Sequence, residues 1–400
     1  KKYQLNILVI SQFFWPENFR INELCKHLSK KNKLIILTGR PSYPNKNFFS
    51  KFKKLDKYGK IEIIRVPTLS RGNNNAHLIL SYLSFIFLSI FYSLLLTFNK
   101  KIDKVIVFGT SPPNGLIAAH FLKIFKNIPI YYWILDLWPN TLAGLGVSKK
   151  NLFYRIINSF MDYSYKNCKY IFCQSTSIKN IISKKIQFKN TAIYFPSWSE
   201  KLPFTKKKNF SKKLFNKKFK IMFTGNIGEA QDFQSVIEAA KILRNESIQW
   251  IIVGAGRFRN KIEYLVEKNK LEANFLFIDQ QKPIYINYLI SLSDCLLITL
   301  KKSSVFSKTI PGKLSNYMDC KKPIIGMVDG ETNNIINTSN CGFACKSGDY
   351  KNLSKNILKM STLKNKKRKL MGIKGYNYSV THFNKSKLIN MFEKFLLSKI

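Results

Sequence analysis

A lysine near the start of a short helix is the group in this chain whose chemistry is best defined. The stretch 306–324, FSKTIPGKLSNYMDCKKPI, predicts a loop, a turn at Pro311 and Gly312, and a helix that ends before the next proline. Lys313 then lies in the first helical turn, beside N–H groups without partners in the helix, and Asn316 lies one turn further along. Free N–H donors, the helix dipole and an ammonium group together suit a diphosphate. The alternative is a surface helix with a solvated lysine.

Length and composition indicate a folded two-domain protein with an anionic partner. Four hundred residues are too many for one compact core, and an apolar fraction of 45% is typical of a globular chain. The 67 Lys and Arg against 22 Asp and Glu give a formal net charge of +45. Such a charge favours nucleic acid, an acidic membrane surface or a phosphorylated substrate. An A/T-rich genome, which enriches Lys, Asn, Ile and Phe together, is an alternative source of part of it.

The seven cysteines are scattered and lie mostly within apolar runs, so reduced, buried thiols are expected. Cys341 and Cys345 have no nearby His or second Cys pair, which disfavours a zinc site. We recognise no signal peptide before the first strand-like run. These features predict a cytoplasmic protein.

Two series of continuous apolar, β-branched runs alternate with helical patterns, which is typical of parallel strands buried on both faces. The predicted strands are 6–11, 34–38, 61–66, 104–109, 128–135, 170–175 and 191–195 in the first series, and 219–224, 249–253, 274–278, 295–300, 323–328 and 342–345 in the second. We therefore predict an α/β fold of two tandem Rossmann-like, doubly wound parallel-sheet domains. These domains are 1–195 and 219–372, with a basic linker at 196–218 and a helical tail at 373–400.

The segment 78–98 has no charged residue and is long enough to span a bilayer. A helical projection separates an apolar arc from a hydroxylic one. The apolar arc comprises Leu80, Leu83, Phe87, Ile90, Phe91, Leu94 and Phe98. If the strands on either side belong to one parallel sheet, the connection must return to the same side. We therefore expect a buried crossover helix, one face of which could touch lipid, with a transmembrane helix as the alternative.

Aromatic and polar side chains follow three predicted strands of the first domain, at the ends where open parallel sheets bind ligands. Aromatic rings beside a few polar groups suit the faces of sugars, although loop packing around proline turns is the alternative for each motif. The expected site residues are Phe14, Trp15, Glu17 and Arg20 after the first strand, Arg40 and Tyr43 after the second, and Asp136 and Trp138 after the fifth.

Glycines follow the first two strands of the second domain. Gly225, Asn226 and Gly228 form a turn between a strand and a helix, where backbone can approach a phosphate, and Gly254 and Gly256 follow the next strand. Neither group fits the dinucleotide pattern of three spaced glycines with a downstream acid, so NAD is disfavoured. The sequence has no Asp-x-Asp pair of the kind that grips a diphosphate through a metal. We therefore predict no metal and no cofactor.

The chain carries, in this order along the sequence, the motifs TGRPSYP, DLWPN, YFPSW, FTGNIGEAQ, VGAGR and IPGK with YMDCKKPII. Together they resemble the family 4 glycosyltransferases, and most closely the WbuB-type sugar transferases of O-antigen, capsule and colanic acid assembly. The resemblance covers about 6–348. It implies a GT-B fold, in which two Rossmann-like domains face each other across a cleft. The first domain would bind an acceptor and the second a nucleotide sugar, with the segment 373–400 crossing back to the first domain.

The resemblance also implies roles for individual residues. The donor-binding set would comprise Gly225, Asn226, Gly228, Gly254, Gly256, Pro311, Gly312, Lys313 and Asn316. Lys313 would contact the diphosphate, and Asn316 stands where the family usually has a glutamate that holds the ribose hydroxyls. A second departure lies at 229–231, where a basic residue often assists the phosphates. Asp136 would orient the acceptor hydroxyl.

The implied reaction is retaining transfer of an N-acetylated or deoxy hexose from a nucleotide-diphosphate sugar. The acceptor would be an undecaprenyl-diphosphate-linked saccharide at the cytoplasmic leaflet, and the lysines would hold the protein peripherally on that anionic surface. A nucleic-acid partner is disfavoured because zinc-finger spacing and an RNP signature are missing. A sugar-nucleotide epimerase of the same fold is the main rival, although the expected site is poor in His and Glu. An inactive carbohydrate-binding relative is a third alternative.

Overall fold

The computed structural model describes residues 4–41, 57–69, 75–144, 146–187, 191–200, 203–206 and 218–398. The chain divides into two compact units, the first comprising Lys1–Phe195 with Ile389–Ile400 and the second Pro196–Leu388. Residues 201–202 and 207–217 of the predicted linker lie outside the described residues, and so does Tyr43.

The first unit is built on an eight-stranded sheet in the order β3-β4-β2-β1-β5-β6-β7-β8. Every strand pair in it is parallel except β3 with β4. The strands are β1 (Asn6–Ile10), β2 (Lys33–Thr38), β3 (Lys57–Tyr58), β4 (Ile61–Arg65), β5 (Lys104–Gly109), β6 (Ile130–Ile134), β7 (Tyr170–Cys173) and β8 (Ala192–Tyr194). The described helices are Arg20–Leu28, Asn75–Asn99, Gly115–Lys126, Asn140–Gly144, Leu152–Asn167 and Thr176–Lys185.

The second unit has a six-stranded parallel sheet in the order β11-β10-β9-β12-β13-β14, the doubly wound order that reverses direction beside its first strand. The strands are β9 (Phe219–Thr224), β10 (Ile248–Val253), β11 (Phe275–Ile278), β12 (Cys295–Thr299), β13 (Ile324–Met327) and β14 (Gly342–Cys345). The described α-helices are Phe233–Ile242, Arg259–Lys268, Pro283–Ser291, Gly312–Asp319, Gly330–Thr338, Tyr350–Thr362 and Asn365–His382, and short 3₁₀ turns occupy Glu229–Gln231 and Phe306–Lys308. The last helix, Lys385–Leu397, begins in the second unit and belongs to the first from Ile389 onward.

Every predicted strand is present, within two residues at each end. The prediction succeeds because a strand buried on both faces must be apolar throughout, and these strands are buried along most of their length. The two-residue strand β3 was not predicted, because it is too short to show a pattern.

The helix Asn75–Asn99, called here the crossover helix, connects β4 to β5. Both strands run parallel within one sheet, so the prediction of a crossover connection is confirmed. The prediction that this helix is buried is wrong for most of its apolar arc. Leu80, Leu83, Phe87, Phe91 and Phe98 are exposed, and only Ile90 and Leu94 of that arc pack against the core.

The C-terminal region returns to the first unit later than the sequence predicts. The segment that joins that unit begins at Ile389 rather than at 373. Before it, the helix Asn365–His382 lies tightly on the second unit, because a Cβ on Gly372 would lie 2.0 Å from the Lys321 carbonyl oxygen. Within the first unit, the Phe392 ring then stacks on Phe172 with centroids 4.2 Å apart.

Candidate functional site

Lys313 lies against the loop that follows β9, called here the glycine loop (225–228). It is the second residue of the helix Gly312–Asp319, called here the site helix. A Cβ on Gly225 would lie 2.8 Å from Lys313 Cε and 3.4 Å from its Nζ. Gly225 also has φ +132°, a conformation that side chains rarely adopt. Glycine is therefore required where the lysine crosses the loop.

Gly254 and Gly256 support the glycine loop from behind. A Cβ on Gly254 would lie 2.0 Å from the Gly225 carbonyl oxygen, and one on Gly256 would lie 2.2 Å from that of Ile227. The N–H groups of Gly225 and Ile227 donate to the carbonyls of residues 253 and 255, both at 2.9 Å. These two glycines therefore position the loop by close backbone approach, a role that sequence reasoning had not separated from ligand contact.

The remaining loop N–H groups are available to a ligand. Among the described residues, the N–H groups of Asn226 and Gly228 have no hydrogen-bond acceptor, whereas those of Gly225 and Ile227 are used internally. Two donors thus stand on the loop, as an anion would require.

The site helix is anchored to the end of β9. The Thr224 N–H donates to the Tyr317 hydroxyl at 2.8 Å, and Tyr317 is only 2% exposed. At the other end, the Ser379 hydroxyl donates to Asp319 Oδ1 at 2.6 Å. Pro311 precedes the helix without a side-chain cap, and its carbonyl accepts the Leu314 N–H at 2.9 Å. The N–H groups of Gly312 and Lys313 have no acceptor among the described residues. These contacts fix the position of Lys313 relative to the loop.

The Lys313 ammonium group is held by neutral partners. It donates to Gln231 Oε1 at 2.7 Å and lies 3.6 Å from the centre of the Phe223 ring. Among the described residues it forms no ion pair. Burial lowers the pKa of Lys313 to about 7, because a charged group loses hydration without gaining a counter-ion. An anion bound here would supply that counter-ion.

Asn316 is already engaged. Its side-chain oxygen accepts a hydrogen bond from the Glu200 N–H at 2.9 Å. The amide oxygen is therefore occupied, and the Nδ2 group remains for a ligand. This departs from the resemblance, which places a carboxylate with two acceptor oxygens at this position.

A pocket of about 630 Å³ opens beside Lys313 and Asn316 within the second unit. Its size falls in the usual range for a small-molecule site. Its walls combine apolar side chains with amide, hydroxyl and ammonium groups. The residues lining it include Phe204, Thr224, Gly225, Ile286, Asn287, Ile290, Lys322 and Tyr376.

Lys301 is a cation near the glycine loop that sequence reasoning missed. It follows β12, and its Nζ lies 2.6 Å from Glu229 Oε1. The backbone N–H of Lys301 donates to the Ala230 carbonyl at 2.9 Å. Strand order brings it here, because β12 is the neighbour of β9 in the sheet although far from it in the chain. A basic group is therefore present beside 229–231, supplied from another strand.

In the first unit, polar groups gather after β5 and β6. The Trp138 Nε1–H donates to the Ser111 hydroxyl at 3.0 Å, and Ser111 also hydrogen-bonds Asp136. Burial raises the pKa of Asp136, and the Ser111 hydrogen bond opposes that rise. Asp136 and Trp138 thus lie together at the predicted sheet edge, with Ser111 as a partner that the sequence had not indicated.

Two of the residues predicted to bind acceptor are buried in the structure. Phe14 has no exposed surface, and Glu17 is 2% exposed with its Oε2 accepting from the Phe14 N–H at 3.3 Å. The loop folds inward and buries both side chains, so a ligand contact by either residue stays a prediction. Trp15 and Arg20 are partly exposed and Arg40 is exposed, so these three retain surface for a ligand.

Residues 204–378 match the family model described as glycosyl transferases group 1. Probable glycosyltransferase WbjE of Pseudomonas aeruginosa is 23% identical over 342 residues, which cover 81% of each chain. Putative colanic acid biosynthesis glycosyl transferase WcaI of Escherichia coli strain K12 is 24% identical over 304 residues, which cover 72% of this chain and 73% of its own. The solved structure of Anabaena Alr3699/HepE in complex with UDP and glucose has a TM-score of 0.71 at 13% identity and covers 98% of this chain and 99% of its own, which shows the fold.

The chain therefore has the GT-B fold, and residues 204–378 of its second unit match the group 1 glycosyl transferases. The family model and both relatives support a glycosyltransferase of polysaccharide biosynthesis, which is what the motifs predict, and the epimerase alternative is not favoured.

The buried ammonium group should destabilise the protein. With its pKa near 7 when folded and near 10.5 when unfolded, Lys313 is charged in both states below pH 7, where the cost of burial is complete. The cost fades as pH rises from about 7 to 10. We expect Lys313→Met to raise the free energy of unfolding by about 1–3 kcal/mol at pH 6, with a smaller gain at pH 9, in urea titrations.

Lys241→Met is the control, because Lys241 is a surface lysine paired with Glu238. A stability difference for Lys313→Met that does not change with pH would show that its ammonium group is not destabilised by burial.

Proposed function

We propose that the protein is a metal-independent, retaining glycosyltransferase of family 4 that uses a nucleotide-diphosphate sugar. It would transfer an N-acetylated or deoxy hexose to a lipid-diphosphate-linked saccharide during the synthesis of a surface polysaccharide such as O-antigen or capsule. One observation carries the proposal: the Lys313 ammonium group lies on the glycine loop with neutral partners only, among the described residues.

The donor diphosphate would bind between the glycine loop and the site helix. Lys313 would neutralise part of its charge, and the N–H groups of Asn226, Gly228 and the first turn of the site helix would donate to its oxygens. Lys301 would add positive potential if the phosphate drew it away from Glu229. Three kinds of donor at one place can hold a diphosphate without a metal ion.

The nucleoside would occupy the adjacent pocket. Its apolar wall, formed by Ile286 and Ile290, suits the face of a base, and Asn316 Nδ2 is left to donate to a ribose oxygen. The solved complex of Alr3699/HepE, a protein of the same fold, contains UDP and glucose. This supports a uridine nucleotide as the first donor to test.

Catalysis would consist of stabilising the leaving group. As the bond between the sugar and the diphosphate lengthens, negative charge grows on the leaving phosphate oxygen. A lysine and fixed N–H donors already aimed at that oxygen stabilise the transition state more than the ground state. The reaction therefore needs no covalent contribution from Lys313.

The acceptor would bind in the first unit, near Asp136 and Trp138. The Asp136 carboxylate can accept a hydrogen bond from an acceptor hydroxyl and so orient it. The Trp138 indole suits the face of a sugar. One relative is described as a colanic acid biosynthesis enzyme, which supports a polysaccharide intermediate as acceptor. The net charge of +45 supports an undecaprenyl-diphosphate carrier at the inner face of the plasma membrane, with the protein bound peripherally.

We expect Lys313→Ala to lower turnover with UDP-sugars about a hundredfold or more, because one lost donor to a developing anion costs about 3–4 kcal/mol. The measurement is product formation by mass spectrometry, with a panel of UDP-sugars and a short lipid-diphosphate acceptor. The matched control is Lys241→Ala, which should turn over normally. Near-normal turnover of Lys313→Ala would place the diphosphate elsewhere.

We expect Asp136→Asn to lower kcat about a hundredfold while leaving UDP affinity unchanged, because it removes the group that positions the acceptor hydroxyl. Activity of the unaltered enzyme should fall as pH falls through the raised pKa of Asp136, since the carboxylate is the active form. Glu62→Gln, at an exposed ion pair with Lys100, is the control. Unchanged kinetics for Asp136→Asn would remove this residue from the reaction.

A further inference from the structure

The outward face of the crossover helix is apolar and exposed. Phe87, Phe91 and Phe98 are 68%, 61% and 75% exposed. Ile79, Leu80, Leu83 and Leu95 are exposed on the same helix, and none of its residues carries a permanent charge. Single exposed apolar residues are common on soluble proteins, but a continuous ridge of them marks an interaction surface.

The inward face of the same helix carries small hydroxyl residues. Ser81, Ser89 and Ser93 are buried together with Phe85. The hydroxyls of Ser89 and Ser93 donate to carbonyls three residues earlier, at 3.0 and 2.9 Å, so their polarity is satisfied inside the helix. A helix of a soluble protein has the opposite arrangement, with its large apolar residues inside. Small residues at the protein contact and large ones outside are the pattern of helices that meet lipid.

The exposed apolar surface continues over two neighbouring helices. The helix Gly115–Lys126 packs beside the crossover helix, and His120 within it contacts the rings of Phe160 and Tyr163 on the helix Leu152–Asn167. Both helices expose large apolar side chains. We call the whole surface the apolar helix face; outside the crossover helix it comprises Phe121, Ile124, Phe125, Leu152, Phe153 and Ile156.

The charges beside this face are almost all positive. The two neighbouring helices carry four basic residues and one acidic residue, Asp162, which is paired with Lys185 at 2.5 Å. Lys126 extends its Nζ over the Phe98 ring, 4.9 Å from the ring centre. The basic residues are Lys123, Lys126, Arg155 and Lys166. An apolar surface bordered by cations matches the interface of an anionic bilayer.

We propose that the apolar helix face inserts into the interfacial layer of an anionic lipid bilayer, with the crossover helix lying in the membrane plane. The helix does not span the bilayer, because both strands that it connects belong to one sheet of the first unit. A second copy of this chain is a poorer occupant, since two positively charged borders would repel each other. The role of this contact in the reaction rests on the proposed lipid-linked acceptor.

The test is flotation with vesicles of phosphatidylcholine containing about 30 mol% phosphatidylglycerol. Phe87→Ser with Phe91→Ser should lower the bound fraction at least about tenfold, because two exposed rings would leave the acyl boundary. Ile242→Ser with Tyr264→Ser is the matched control, since both residues are exposed apolar side chains of the second unit. Unchanged binding by the Phe87 and Phe91 variant would overturn the proposal.

The orientation of the helix has its own measurement. The single variants Phe87→Trp, Phe91→Trp and Phe98→Trp should all show similar quenching of the added Trp fluorescence by lipids brominated near the headgroup. The fluorescence of the unaltered protein is subtracted in each case. A graded depth along these positions would indicate a spanning helix and overturn the in-plane arrangement. A lipid-free dimer in light scattering that the Phe87 and Phe91 substitutions dissociate would instead assign the face to a second copy.

A water-soluble short-chain acceptor separates this inference from the proposed function. The Phe87 and Phe91 variant should keep its turnover with that acceptor and lose most of it with acceptor embedded in vesicles. If the Phe87 and Phe91 variant loses vesicle binding but the unaltered enzyme is inactive on both acceptors, the proposed function is contradicted and the membrane-binding surface is supported.

Discussion

The site of the second unit depends on a half-buried ammonium group that has no counter-ion among the described residues. Lys313 is surrounded by the Phe223 ring, the Gln231 amide and the backbone of Gly225. Each of these tolerates a cation, and none neutralises it. The surrounding structure fixes the arrangement, because the Thr224 N–H at the end of β9 donates to the Tyr317 hydroxyl of the site helix at 2.8 Å. A site built in this way is destabilised when empty and gains most from an anion.

The glycine pattern follows from the same constraint. Gly225 leaves room for the lysine side chain, and Gly254 and Gly256 bring a second backbone segment to within contact of the first. That support uses the N–H groups of Gly225 and Ile227 and leaves those of Asn226 and Gly228 without an acceptor among the described residues. These three glycines do not form a dinucleotide-binding pattern in the sequence. One packing requirement explains all of them: the Lys313 side chain must lie against the glycine loop and its N–H groups.

Much of the fold could be predicted from the sequence, because strands buried on both faces leave an unambiguous apolar run. The orientation of the crossover helix could not. Its projection separates an apolar arc from a hydroxylic arc, but the residue pattern does not show which arc faces the sheet. Serines that bond to their own helix backbone can be buried at little cost, and this made the opposite orientation possible.

The candidate site was predictable where motifs carry it and unpredictable where tertiary contacts do. Lys313 and the glycine loop are local features, and the structure places them together. Lys301 reaches Glu229 only because β12 neighbours β9, and Asn316 is occupied by a backbone N–H from Glu200, far away in sequence. The burial of Phe14 and Glu17 depends on a loop that turns inward, which residue types alone do not reveal.

The most direct test of this account is the proton uptake that accompanies UDP binding. Because the free Lys313 has a pKa of about 7, a diphosphate bound beside it at about pH 8 should draw a proton onto its amine. Isothermal calorimetry in buffers of different ionisation enthalpy, with a chelator present, should show uptake approaching one proton for the unaltered protein and none for Lys313→Met. Equal uptake and affinity in the two proteins, or binding that disappears with the chelator, would contradict the account.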